Sequence, residues 1–469
     1  MGNADDIALM AHLMRRAGFG ASRTEIEVLA EQGYDDTVEQ LLRPEDQPDL
    51  DEYELYRYLP MAESAQMIYH GQVNWMYRIV NGHRPLQEKT ALFWHQVFAT
   101  GNSKVGGIHA MIAQIEMFRR HGMGNYKELL VELAKSPAMI KWLDNDENHK
   151  RAPNENWGRE LLELFSLGVG NYTEKDVFEC ARAFTGWTYD GKISNIFGLG
   201  AFNWQFIYRA EDHDASEKSF LGHTGRFNGE DVIDIVVEQP ACHRFVARHL
   251  YNFFVADEPQ VPAWPVEPPK DQAAVDILAG TFVSSGLEMR PVLRTLFKSD
   301  FFKESMYEKV KNPTEVVAGT LKMTGDLSEP DPRWLSVSTS TGLMGQALLD
   351  PPSVEGWHTG REWINSGAFM GRVNFVADQV TNTDLPGVQD IIRRVAASDS
   401  EMSPETLVDR CLDLMGPLEV ADETKGELVE HAEAGGPISW GTEEEYREFS
   451  GRVGGVLALI AGTTEYQFG

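Results

Sequence analysis

Three polar stretches carry side chains whose types and spacing suit acid–base or metal-assisted chemistry. In PNENWGRELLELFSLGVGNYTEKDVFECARAFTGW, a helical projection gathers Asn156, Arg159, Glu160 and Glu163 on one stripe, with Trp157, Leu161, Leu162, Leu164 and Phe165 opposite. Two carboxylates at i, i+3 can share a divalent cation or divide acid and base roles. The guanidinium beside them can hold an anionic group. The plainer reading is a solvated helix face with an Arg159–Glu163 pair at i, i+4. In PLQEKTALFWHQVFAT, Glu88 and His95 share a helix face, and Phe93, Trp94 and Phe98 surround the imidazole. Such a histidine is a metal ligand, a tuned base, or a hydrogen-bonded core residue. In the third stretch Glu211, Asp212, His213 and Asp214 stand in a row before Lys218, suiting a metal or acid–base loop or a charged surface.

Two further stretches are weaker. Asp144 to His149 has the oxygen-donor spacing of a calcium loop but lacks its glycine and terminal glutamate, so a solvated loop is expected. PPSVEGWHTGREWINS offers Trp357 and Trp363, which would stack on a sugar if exposed and pin the loop if buried; burial is the preferred reading. Walker, HExxH, GxSxG and CxxC patterns are absent. Gly168-Val169-Gly170 and Gly198-Leu199-Gly200 lack the third glycine of a dinucleotide loop, so no nucleotide cofactor is expected.

The elements that must position these groups are mainly α-helical. Apolar residues of 5–17 stop at Gly18-Phe19-Gly20, and Ser22 with Glu25 opens a helix that Gly33 closes. Pro85 begins a helix to about Phe98. Thr173 with Asp176, and Thr442 with Glu445, are further capping boxes. The fold expected is a large multi-helix body with a small strand- and loop-rich insertion around 187–227. Residues 1–257 form the N-terminal helical body and 258–269 a Pro-rich linker. A second helical part follows over 270–383 with its Trp-rich loop at 351–365, then an acidic helical region over 384–469.

Acidic residues outnumber basic ones, 72 to 42, giving a formal charge of −30 that repels phosphate backbones. Nucleic acid is thereby a poor partner. The three cysteines, Cys180, Cys242 and Cys411, are too few and too scattered for a disulfide framework. Val453 to Gly462 is too short to span a bilayer, and the acidic start lacks a secretory pattern. As written the chain is expected in the cytoplasm; removal of a leader would make it an exported protein.

Taken together, these stretches resemble the domain of unknown function 1800 family. The likeness runs from His12-Leu13 and Arg16 to Gly20, through Phe93-Trp94-His95 and Phe98, to Asn154-Glu155-Asn156, Arg159-Glu160-Leu161, Glu163-Leu164 and Leu167-Gly168. It continues at Tyr172-Thr173, Asp176-Val177, Thr185-Gly186-Trp187, His213-Asp214, Lys218, Asn312-Pro313, Glu315 and Gly345-Gln346. It closes with Pro351-Pro352, Val354, Gly356-Trp357, Trp363-Ile364-Asn365 and Glu465-Tyr466-Gln467. The resemblance implies a bacterial, largely helical protein. It also implies export in many members and a neighbour resembling the alkaline phosphatase superfamily, which would be the partner.

The leading expectation is a hydrolase with His95, Glu160, Glu163, His213 and Asp214 as catalytic groups. The same five are the candidate ligands of a divalent metal, and Asn154, Asn156, Arg159 and Lys218 bind substrate. Against it stand a non-catalytic assembly protein, whose polar motifs would be buried networks, and a carbohydrate-binding protein using Trp357 and Trp363.

Overall fold

Side-chain caps set helix boundaries where the sequence places them. In a computed structural model, which describes residues 4–64, 67–190, 204–396 and 401–469, Ser22 accepts the Glu25 N–H. Thr173 with Asp176 and Thr442 with Glu445 close reciprocal boxes. Pro85 opens the Pro85–Val97 helix, where its missing N–H costs nothing. Among the described residues strands are confined to three two-stranded antiparallel sheets: Trp187–Asp190 with Gln205–Tyr208, Lys218–Phe220 with His223–Gly225, and Glu401–Met402 with Ile438–Ser439. The chain is mainly α, and the first two sheets fall in the expected insertion. Its segment 191–203, with Gly198-Leu199-Gly200, lies outside the described residues.

Two buried apolar clusters organise the helices. The larger runs from Met10 to Trp363, on both sides of the Pro-rich stretch; the smaller joins Val316, Val376 and Val380 to helices of the acidic region, ending at Tyr466. The Pro-rich stretch is packed rather than extended. Glu258 is buried in an ion pair with Arg248 at 2.7 Å, and Trp264 lies edge-to-face on Phe245 at 5.4 Å. Its chain therefore becomes a wall of the molecule.

A buried ion network locks the larger core. The Pro313–Thr324 helix begins with a capping box in which Asn312 accepts the Glu315 N–H, and one Glu315 oxygen accepts the Asn312 N–H at 2.8 Å. The other oxygen accepts from Lys89 and, at 3.3 Å, from Arg16. Arg16 also donates to the Phe253 and Phe254 carbonyls at 2.6 and 3.1 Å, and Lys89 to Gly18 at 2.8 Å. Three helices thus meet on one carboxylate, and Arg16 ties in the end of a fourth. Burial alone would raise that carboxyl, but Lys89 and Arg16 hold it at about 2.

Removing one partner of such a network leaves uncompensated buried charge. Glu315→Gln should lose about 3–5 kcal/mol of unfolding free energy, read from urea titrations. A loss below ~1 kcal/mol would show that the network is not holding the helices together.

Candidate active site

Beyond the last turn of the Asn156–Glu163 helix lies a cleft. Its other sides are the start of the Pro240–Phe254 helix, the Pro-rich stretch and the loop 353–362. Two adjoining cavities of about 740 and 200 Å³ share Leu164, Val261, Pro262 and Glu355. The larger has the size of a small-molecule site. Gly356 explains how the loop is placed. Its φ of +87° suits glycine, and a Cβ there would stand 2.5 Å from the Gln96 carbonyl oxygen. With backbone pressed on backbone, Glu355 is set on the cleft wall while Trp357 and Trp363 are buried at 3% and 4% exposure.

Glu163 lines the same cleft, and Glu160 lies one helical turn behind it. Burial raises the Glu160 carboxyl to about 7, with the charges of Glu163 and Glu355 adding to the shift and Arg159 opposing it. Arg159 is otherwise engaged: it forks onto Glu174 at 2.9 and 2.7 Å and touches Glu155 at 3.4 Å. Among the described residues Glu160 therefore has no ion pair of its own. The Tyr172 hydroxyl donates to Glu163 at 2.8 Å, and burial with that carboxylate raises the phenol and keeps it protonated. On the far wall the Trp264 indole N–H donates to the Pro259 carbonyl at 2.8 Å. Its ring carries the Arg248 guanidinium at 4.5 Å and meets the His249 ring at 4.6 Å. Burial, then Arg248, lowers His249 to about 3, leaving a neutral imidazole on the smaller cavity.

The other expected site residues lie elsewhere. His95 is fully buried between Trp75 and Trp357, at 5.5 and 5.2 Å, and neither ring nitrogen has a partner. Burial lowers it to about 3, so it is a neutral imidazole packed behind the cleft wall and outside the residues that line the cleft. Glu88 is answered by Arg119 at 2.8 Å, Arg78 and the Trp75 indole, not by His95. Trp357 and Trp363 pin the loop and offer no face to a sugar.

His213, Asp214 and Lys218 do come together, but in a network apart from the cleft. Arg182 joins Asp214 at 2.8 Å to Glu179 at 2.5 Å, His213 Nδ1 bonds the Thr185 carbonyl at 3.0 Å, and Lys218 donates to the Asp214 and Ser216 carbonyls. Burial would raise Asp214, but Arg182 and Ser216 hold it low. These groups fasten the Lys218–Phe220 strand to the Glu174–Ala183 helix.

Asn154 and Asn156 belong to a clamp as well. The Asn154 N–H donates to Asn148 at 3.0 Å and the Asn156 amide to Asp144 at 3.2 Å. Asn145 and Asn148 are buried, donating to the Trp187 and Ala181 carbonyls at 2.8 Å. The stretch expected as a solvated loop is instead a hydrogen-bonded peg. Among the described residues no three His, Cys, Asp or Glu side chains are grouped to hold a metal ion. The five metal candidates fall in three separate places: His95, the Glu160–Glu163 pair, and His213–Asp214.

Sequence reading missed Glu355, Tyr172, Trp264 and His249 as site residues. The first two sit inside the quoted motifs, between Val354 and Gly356 and before Thr173, so a signal existed. Trp264 lay in a stretch taken for a linker, and nothing local marked His249.

The sign of the Glu160 effect on stability follows from its raised folded value. Its stabilising contribution is full below the ordinary glutamate value of 4.5 and is lost as pH rises through about 7. Glu160→Gln should therefore gain on the order of 2 kcal/mol relative to wild type between about pH 5 and pH 8, allowing for partial exposure. Parallel stability curves in urea across that range would remove the raised carboxyl. The family model described as protein of unknown function, DUF1800, matches residues 12–468. No curated protein and no solved structure matches the chain. With nearly its whole length covered by that model, the chain belongs to the DUF1800 family.

Proposed function

We propose that the cleft is the active site of a hydrolase cleaving glycosidic bonds, with Glu160 as general acid and Glu163 as its carboxylate partner. What supports this reading is that Glu163 and Glu355 line a cleft of about 740 Å³ with Glu160 one helical turn behind Glu163, where burial and those two carboxylates push the Glu160 carboxyl up to about 7. A general acid must still hold its proton at neutral pH, and an unpaired, half-buried carboxyl beside two others meets that need. Glycoside hydrolysis uses two carboxyl groups in this way. One protonates the glycosidic oxygen, and the other activates water or attacks the anomeric carbon. Tyr172 orients Glu163 for the second role, and Glu355 stands on the facing wall as the alternative base.

The lining suits a neutral polyhydroxy ligand. Asn171, Gln239 and Gln272 supply amides that can meet hydroxyls, and Trp264 supplies an aromatic wall. Carbohydrate contact thus shifts from the buried Trp357 and Trp363 to Trp264. A purely structural role for these carboxylates would be better served by pairing, as at Glu315 and Asp214; Glu160 has been given none.

Alkyl glycosides and short oligosaccharides, whose poor leaving groups need a proton, are the substrates to assay. Turnover should fall as pH rises through about 7, and Glu160→Gln should lower kcat/KM by ~10²–10⁴-fold. Activity that survives this substitution with an unchanged pH profile would end the assignment.

A further inference from the structure

A second cavity, of about 70 Å³, lies away from the cleft, where the Ala4–Ala17 and Pro313–Thr324 helices meet the turn at Met415-Gly416-Pro417. Its charge balance is unusual for a chain of net charge −30. Four cationic side chains line it, Arg15, Arg16, Arg23 and Lys311, against two carboxylate side chains among the described residues, Glu315 and Asp413, with Gly469 beside Lys311 and Arg16. Both carboxylates are already committed. Asp413 pairs with Arg23 at 3.0 Å, and Glu315 takes Arg16 and Lys89.

Arg15 and Lys311 are left with carbonyls and rings. Arg15 donates one N–H to the Gly416 carbonyl at 3.2 Å and lies over the Tyr307 ring at 5.2 Å; its Nε and Nη2 are buried without partners. Lys311 donates to the Tyr466 carbonyl at 2.7 Å and sits 4.0 Å from that ring. A third cation stands behind them. Arg372 is 1% exposed, none of its three guanidinium nitrogens has a hydrogen-bond partner, and its charge acts on Lys311 while Glu315 partly offsets its burial. Buried cations without counter-ions are costly, and several in one place mark a site for a mobile anion.

We propose that this cavity binds a small oxyanion, phosphate-like in size and geometry, through Arg15 and Lys311 with Arg372 supplying further positive charge. The volume is that of roughly five to seven waters, enough for a tetrahedral oxyanion and too little for a nucleotide. Guanidinium N–H groups favour such acceptors, and the two free Arg15 nitrogens supply a fork. The bound anion would join the Ala4–Ala17 helix to the Met415-Gly416-Pro417 turn of the acidic region, linking the two apolar clusters.

The test is inorganic phosphate added to the full chain at constant ionic strength, with chloride as the control, followed by thermal unfolding and by ³¹P line broadening. Phosphate should raise the midpoint saturably where chloride does not. Arg15→Gln and Lys311→Met should each raise the half-saturating concentration about tenfold or more. Arg15 is only partly buried, so its variant keeps the test open if Lys311→Met does not fold. Equal effects of phosphate and chloride would overturn the site and leave its charge answered within the chain. So would a wild-type response in Arg15→Gln.

Discussion

Glu315 has to satisfy three kinds of donor at once: a backbone N–H at its own helix start, the Lys89 ammonium and the Arg16 guanidinium. Through Arg16 the same node reaches the last carbonyls of the Pro240–Phe254 helix, and through Lys89 the middle of the Pro85–Val97 helix. Those two helices then carry parts of the cleft, Arg244 to Asn252 on one and Gln96 on the other. An ion cluster this deep contributes less to stability than to geometry, because its donors are matched only in one arrangement of helices. The cleft inherits its shape from that match.

The polar residues fall into two populations with different physics. One is satisfied: Glu315, the Glu179–Arg182–Asp214 network and the Asn145–Asn148 peg each have partners for their buried donors and acceptors. The other is left wanting. Glu160 is half-buried beside like charge, Arg372 is buried with no guanidinium nitrogen bonded, and Arg15 keeps two buried nitrogens without partners. Selection for stability alone would pair or remove such groups, since each costs free energy in the empty protein. Unpaired groups are therefore the better guide to where a substrate or ion belongs.

Much of the scaffold was readable from local chemistry. Caps at Ser22, Thr173 and Thr442 act within one turn of helix, so their residues announce them. The Glu160–Glu163 stripe was readable for the same reason, being set by helical period. Burial is a tertiary property; local reading had it for Trp357 and Trp363 but not elsewhere. An aromatic-flanked histidine looks alike whether it faces a cleft or, as His95 does, the back of Trp357. The proline run looked like a linker because its partners, Arg248 and Phe245, lie on a neighbouring helix. Glu355 carried no periodic signal at all; only the contact of Gly356 with Gln96 sets it in the cleft.

Two glutamates stand in contrast, Glu315 sealed and paired, Glu160 half-buried beside like charge and without an ion pair. Carboxyl-resolved ¹³C NMR titration of glutamate-labelled protein, assigned with Glu160→Gln and Glu315→Gln, reads both at once. One carboxyl should titrate near pH 7 and disappear in Glu160→Gln, and one should stay ionised down to about pH 2 and belong to Glu315. Glu160 titrating in the ordinary carboxylate range beside its neighbours would contradict that contrast, and the cleft would then hold no acid at neutral pH.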